Sequence, residues 1–275
     1  MQTPLDPVVE YGIDRARELL GGKKVLAITG AGVSTESGIP DYRGQGRVVK
    51  HPLTFDEFLA SASNQARYWA RSFAGWNRIA TAEPNTAHRA LAAAEHSGQL
   101  SDLITQNVDG LHQKAGSENV LELHGRLDRV VCIDCSSDIS RLEMDSKIQL
   151  RNPGLVRQLE VEFTPDGDAE IEIPADFATP ACQDCGGRYK PDVVFFGEQI
   201  PLERVNLARA QVQAAEAVLV AGSSLSVNSG LRLVKQAKQQ GLPVVIVNLG
   251  ETKADQITDV KINASASVVL GSLYL

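Results

Sequence analysis

The sequence predicts an α/β fold, a doubly wound parallel sheet carrying a small inserted module, and three observations predict it. Short runs of β-branched and apolar residues recur along the chain without polar alternation, as strands buried on both faces of a parallel sheet require. Helix-like stretches alternate with them, the order that winds helices over both faces of one sheet. One central segment breaks the alternation and holds all four cysteines.

In chain order, strands are expected at 24–29, 102–105, 192–196, 217–221, 244–248 and 267–270. Helices are expected at 8–20, 55–80, 86–97, 202–215 and 229–240. From about Cys132 to Arg188 the chain is rich in charge, Pro and Gly, and its apolar alternation is short-range (Val161 and Phe163, then Ile171 and Ile173). That segment reads as an insertion. Residues 1–130 and 189–275 then form one Rossmann-like domain, interrupted by a small module over 131–188. There is no internal repeat and no long low-complexity segment.

A chain of 275 residues with 43% hydrophobic content can bury one large core, or a large domain carrying a smaller one. Its 34 acidic against 27 basic side chains give a net charge of -7. With no Lys/Arg cluster, that balance opposes direct nucleic-acid binding, which draws on basic patches. The first residues carry Pro4, Asp6, Pro7 and Glu10 rather than a basic region followed by an apolar one, so no secretory leader is expected. No apolar run approaches the ~18 residues that span a bilayer. The expected setting is the cytoplasm, away from membranes and reducing, where four cysteines are metal ligands or thiols rather than disulfides. The oligomeric state is left open.

Cys132-x-x-Cys135 and Cys182-x-x-Cys185 form two CxxC pairs. One such turn presents two thiolates to one side of a tetrahedral ion, and the second completes the shell at Zn–S distances of about 2.3 Å. Asp134 and Gly186-Gly187 suit the tight turns that aim the sulfurs. A redox CxxC would not need the second pair. Four protein ligands leave no open position for a substrate, so the zinc is expected to be structural.

After the first strand the chain runs through Gly30-Ala31-Gly32-Val33-Ser34-Thr35-Glu36-Ser37-Gly38. A strand passing through glycines into a helix brings backbone N–H groups and a positive helix end to where a diphosphate can sit. Glycines 30 and 32 permit the turn and a close backbone approach. Thr35 occupies the third glycine position of the dinucleotide fingerprint, and alone the loop is equally a plain strand-to-helix turn. Asp41-Tyr42-Arg43 follow directly, adding a carboxylate, a phenol and a guanidinium able to offset phosphate charge.

At this point the sequence resembles the sirtuin family of NAD-dependent protein deacylases. The matching segments are 30–43, Gln106-Asn-Val-Asp109, His124-Gly125, the two CxxC pairs, Pro191-Asp-Val-Val-Phe-Phe-Gly-Glu198, Gly222-Ser-Ser-Leu225 and Asn248-Leu-Gly250, in the family's order. The run from Arg67 to Trp76, with Gly250-Glu-Thr252, is similar to the class II branch. The resemblance implies an NAD site. Gly30, Ala31, Gly32, Thr35, Asp41, Tyr42 and Arg43 would surround the diphosphate and the nicotinamide ribose. Gln106, Asn107 and Asp109 would form the ribose and nicotinamide pocket, with Asp109 accepting from the carboxamide. Gly222, Ser223 and Ser224 would face the ribose and phosphates, and Asn248, Leu249, Gly250 and Ala266 would lie near the adenosine.

By residue chemistry alone His124 ends a short apolar segment before a glycine, a place where a histidine is more often structural. His112 is the runner-up, and His88, on a helix face, reads as packing or a structural hydrogen bond. The resemblance selects His124 as base, with Asn107 beside it. It implies that the acyl-lysine carbonyl oxygen attacks the ribose carbon of NAD as nicotinamide leaves. His124 then takes a proton from a ribose hydroxyl, and water releases free lysine and 2'-O-acyl-ADP-ribose. NAD is consumed, not recycled.

The substrate is expected between two extended edges, Val193 to Phe196 and Leu225 to Val227, where a peptide adds as a strand. Val194, Phe195, Phe196 and Leu225 are the substrate-binding candidates, and some of the aromatics are equally core. Tyr68 and Arg71, at i and i+3 of a helix, place a phenol and a guanidinium on one face. That spacing is similar to a pair that recognises acidic acyl chains in the desuccinylase branch; the alternative is a packed Tyr68 beside an exposed or internally paired Arg71. Acyl-lysine proteins or peptides are the expected partners. The rival activity at the same pocket is transfer of ADP-ribose from NAD to a protein; a third reading is a non-catalytic zinc ribbon or nucleotide sensor.

Overall fold

The computed structural model describes residues 5–41, 53–155, 171, 173–174 and 176–275. Strand β1 (Val25–Thr29) is buried at every position. Because successive side chains alternate between faces, Val25 and Ala27 enter one core while Leu26 and Ile28 enter another. Beside β1 lie β2 (Leu100–Thr105) and then β3 (Val120–Glu122) on one side. On the other side follow β7 (Ala217–Ala221), β8 (Val244–Val247) and β9 (Val260–Ile262). All five pairings are parallel, and the sheet order is β3-β2-β1-β7-β8-β9. The winding direction reverses between β1 and β7, so a crevice opens at their carboxyl ends.

One face of this sheet is covered by α1 (Pro7–Leu20), α4 (Thr86–His96) and α9 (Ala266–Tyr274), through Ile13, Leu20, Leu91, Val269 and Leu270. The other is covered by α7 (Leu202–Ala214) and α8 (Asn228–Gln239), through Val212, Leu231 and Val234. A second unit is built on the antiparallel sheet of β4 (Gly125–Cys132), β5 (Asp138–Ser140) and β6 (Tyr189–Val193). Against it pack α2 (Phe55–Ala60), α3 (Ala62–Thr81) and α6 (Arg141–Arg151), sharing Phe58, Trp69, Phe73, Leu127, Met144 and Tyr189. Its buried Arg141 is held by Asp145 at 2.8 Å and by the Ser72 hydroxyl and carbonyl at 2.9 Å each. Those partners are what let a guanidinium stay in an apolar core. The short α5 (Leu111–Lys114) follows β2.

The predicted class holds, with local corrections. The run 267–270 lies in α9, where Ala266, Val269, Leu270 and Leu273 recur at helical spacing against α1 and α4; β9 takes the sheet edge instead. The run expected at 192–196 contributes to β6 of the antiparallel sheet, and only as far as Val193, because its partner is β4. The long helix at 55–80 is two helices, since Ser61 is extended and its hydroxyl caps α3 by accepting from Asn64 N at 3.1 Å. After β1 come two single 3-10 turns, Ala31–Val33 and Thr35–Ser37, in place of the expected helix. The antiparallel sheet reaches from Gly125 to Val193, past both ends of the 131–188 segment. Val161 and Phe163 lie outside the described residues.

The loops after β1 and β7 touch backbone to backbone. Gly32 N donates to Gly222 O at 2.8 Å, and a Cβ on Gly32 would lie 2.8 Å from that oxygen. Gly222 has φ +58, and its Cβ would lie 2.3 Å from Val33 N. The glycine of the first loop thus admits the other loop's backbone. Gly222→Ala is expected to cost at least about 2 kcal/mol, seen as a lower midpoint in urea or thermal melts; an unchanged midpoint would contradict this packing.

Candidate active site

A cavity of about 1780 Å³ opens at the crevice between β1 and β7. It brings together most of the residues singled out in the sequence: Gly30, Ala31, Gly32, Thr35 and Asp41 from the first loop; Gln106, Asn107, Asp109 and His124; Gly222, Ser223 and Ser224; and Asn248, Leu249, Gly250 and Ala266. Tyr42 and Arg43 lie outside the described residues.

His124 sits between β3 and β4, with its imidazole fixed at both nitrogens. Nδ1 lies 3.0 Å from the Gln106 carbonyl and Nε2 lies 2.9 Å from Ser229 Oγ. A carbonyl only accepts, so Nδ1 carries the hydrogen and Nε2 is left with its lone pair toward the Ser229 hydroxyl. Burial lowers the ring's pKa; the Gln106 hydrogen bond opposes this and the nearby Arg204 charge adds to it. The neutral, proton-accepting form is therefore the resting one. Gln106 is itself held, donating to Ser223 Oγ at 2.9 Å. Sequence reading missed Ser229, since one hydroxyl at the start of α8 carries no spacing signal.

Behind His124 lies a polar network. Asn107 donates to the Gly30 carbonyl at 3.2 Å and to Ser34 Oγ at 3.0 Å, and Ser34 donates to Asp109 at 2.7 Å. The second Asp109 oxygen accepts from Leu111 N at 2.9 Å. Burial pushes the Asp109 carboxyl above its usual range against these hydrogen bonds. Ser34, in the middle, was also missed. Deeper still, His112 meets Thr29 Oγ1 at 2.9 Å and its ring lies 4.8 Å from that of His88. His88 closes the capping box of α4, its Nδ1 accepting from Asn85 N at 3.3 Å. Burial lowers His88 to about 4 and His112 well below the ordinary value. The runner-up base is thus a core residue outside the cavity.

The substrate-side candidates divide. Val194, Phe195, Phe196 and Tyr68 line the cavity, whereas Leu225 and Arg71 do not. Leu225 has φ +52 and a side chain buried under α7 and α8, so the expected second extended edge is broken there, and Ser226 and Val227 continue it along the cavity. Val194 N donates to the His124 carbonyl at 2.9 Å, and the Phe196 carbonyl accepts from Phe55 N at 2.9 Å. Tyr68 is packed edge-on against Phe58, Trp69 and Phe195.

The four cysteines converge away from this cavity. Their sulfurs all lie within 4.8 Å of one another, with Cys132 3.6 Å from Cys185 and Cys135 3.8 Å from Cys182. Tetrahedral Zn–S bonds of about 2.3 Å space sulfurs roughly 3.8 Å apart, so this donor set fits zinc with no position left over.

A family model described as "Sir2 family" matches residues 30–229. An NAD-dependent protein deacetylase of Xanthomonas campestris pv. campestris (strain 8004) is 49% identical over 275 residues, covering 98% of this chain and 92% of that one. The NAD-dependent protein deacylase Sirt4 of Drosophila melanogaster is 45% identical over 276 residues, covering 98% and 88%. A Sir2 enzyme structure superimposes with a TM-score of 0.77 at 34% identity, covering 96% and 97%. A Sir2–p53 peptide–NAD+ complex gives 0.76 at 30%, covering 95% and 96%.

Two measurements check this site. As pH falls from about 6.5 toward 4, unfolded histidines take up protons that folded His88 and His112 refuse. Stability is therefore expected to fall in that window, by about 3 kcal/mol from His88 alone; replacing both rings with Gln should flatten the slope. Elemental analysis is expected to give one zinc per chain, and Cys182→Ala to lose it with a lowered melting temperature.

Proposed function

The chain belongs to the Sir2 family, and from that premise we propose that it is an NAD-dependent protein lysine deacylase with His124 as its base. The observation that carries the reading is one cavity holding both the glycine-loop crevice and a neutral imidazole whose Nε2 is its acceptor. Bound NAD supplies an electrophilic ribose carbon with nicotinamide as its leaving group, and it is consumed.

This chain's residues do the rest. Gln106 holds the His124 Nδ1–H, so Nε2 is the atom that takes a proton from a substrate hydroxyl. The Ser229 hydroxyl occupies that lone pair at rest and yields it when the substrate hydroxyl arrives. Asn107 and Asp109, fixed through Ser34, present an amide and a carboxyl to the nicotinamide side. Gly30, Ala31, Gly32, Thr35, Gly222, Ser223 and Ser224 form the phosphate and ribose wall, and Asn248, Leu249, Gly250 and Ala266 the adenosine end. Val194 to Phe196 offer a backbone edge for the acyl-lysine peptide, with Tyr68 at its apolar floor. Cys132, Cys135, Cys182 and Cys185 would hold zinc, which stiffens the second unit and takes no part in the chemistry. A cytoplasmic setting is supported by the bacterial relatives named as deacetylases; no helix among the described residues is long and apolar enough to cross a membrane. The relatives are named for deacylation, and the ADP-ribose transfer reading gains no support from them.

The test is incubation with NAD and peptides bearing acetyl-, succinyl-, glutaryl- or long-chain acyl-lysine, with both products identified by mass spectrometry. Nicotinamide, acyl-ADP-ribose and free lysine are expected; an ADP-ribosylated acceptor without deacylation would overturn the reading. His124→Ala is expected to lose about 10²–10⁴-fold in kcat/KM with zinc and melting temperature retained. Because burial lowers the His124 pKa, the acid limb of kcat/KM should lie below the ordinary histidine value of 6.5. Loss of an acidic-chain preference in Arg71→Met would put Arg71 in the acyl pocket.

A further inference from the structure

The cavity extends past His124 along the groove between α7 and α8, and its far wall is basic. Arg209 of α7 and Arg232 and Lys235 of α8 line it, and all three are exposed. Helix α8 carries Arg232, Lys235 and Lys238 and no acidic residue. Neighbouring cations are already engaged, Arg204 with Asp192 at 2.9 Å and Lys238 with Asp259 at 2.7 Å. Among the described residues no carboxylate lies within ion-pair reach of Arg209, Arg232 or Lys235. The two helices are tied at this point, since Gln236 Nε2 donates to the Arg209 carbonyl at 3.0 Å. In a chain of net charge -7, and in a cavity whose other parts carry Glu36, Asp41, Glu198 and Glu251, these three cations give one wall the opposite sign.

We propose that this wall selects acyl-lysine substrates with acidic residues on one flank of the modified lysine. The proposal rests on the deacylase reading and adds a substrate class to it. A peptide lying along Ser226–Val227 meets the amino end of α8, which begins at Asn228, while α7 begins at Leu202, six positions beyond Phe196. At a rise of 1.5 Å per residue, Lys235 stands about 10 Å along α8 from Asn228. An extended chain covers that distance in about three residues. A flank that continues from Val227 along the groove between α7 and α8 would bring aspartate or glutamate two to four positions from the acyl-lysine opposite Arg232 and Lys235. Side chains this exposed act by steering and by weak pairing, both screened by salt. Their effect belongs in KM rather than in the chemical step.

The experiment compares three peptides bearing the acyl group that the panel above turns over fastest, one with neutral flanks and two with three Asp/Glu residues on one side or the other. Turnover is read as nicotinamide release at saturating NAD. The acidic peptide is expected to show a KM about tenfold lower for one flank only, with equal kcat, and the gap should close in 0.5 M salt. Arg209→Glu/Arg232→Glu/Lys235→Glu should reverse the preference and leave kcat/KM for the neutral peptide unchanged. Equal KM values in the native protein, or a preference that survives in the triple variant, would overturn the proposal. So would inhibition by a short DNA oligonucleotide stronger than by the acidic peptide. Failure of all three peptides to release nicotinamide would instead sink the deacylase reading, which separates the two proposals.

Discussion

The structure depends on one backbone contact, the approach of Gly32 to Gly222. It closes the crevice floor between β1 and β7 and leaves no room for a Cβ on either residue. Two loops that belong to different halves of the sheet are thereby fixed to each other, and their side chains inherit a common frame. Ser223 follows directly and holds Gln106, whose carbonyl orients His124, while Asn107 reaches back to Gly30. A base and a cofactor loop more than ninety residues apart in the chain meet because two glycines let the backbone pass at van der Waals contact. The cavity is a product of that closure, not a gap between independently placed elements.

The second unit sets the opposite wall by other means. Its core is rich in aromatic residues, and Phe195 and Tyr68 serve both that core and the cavity surface. Four converging thiols lie at one end of this unit and the substrate edge at the other, with β6 running between them. A tetrahedral ion at one end would therefore limit how far the edge can shift at the other, through a strand of only five residues.

How far the sequence discloses this depends on whether a feature is local. The buried strands at 25–29 and 217–221 are nearly continuous apolar runs, and the fold class follows from them. The two CxxC pairs declare a metal module by spacing alone. Ser267 to Leu270 misleads because a short apolar run is compatible with strand or buried helix, and only contact with α1 and α4 decides. Asp192 to Phe196 misleads because the partner that makes it antiparallel, β4, lies in a stretch where no strand was expected. Ser34 and Ser229 are illegible for a different reason. A single hydroxyl gains its meaning from the nitrogen or carboxylate that folding brings within 3 Å. Leu225 shows the limit from the other side: the Gly-Ser-Ser-Leu segment is where it was expected, but a left-handed backbone turns that side chain into the core.

The hydrogen bond from Val194 N to the His124 carbonyl, at 2.9 Å, has a mechanical meaning. The residue that presents the base and the edge that would receive the peptide are joined directly by this one backbone hydrogen bond. His124 is thereby held from two sides, its ring by Gln106 and Ser229 of the parallel-sheet domain and its carbonyl by the edge of the second unit. The proton acceptor is the point at which the two units are pinned together, so its place is set by both of them.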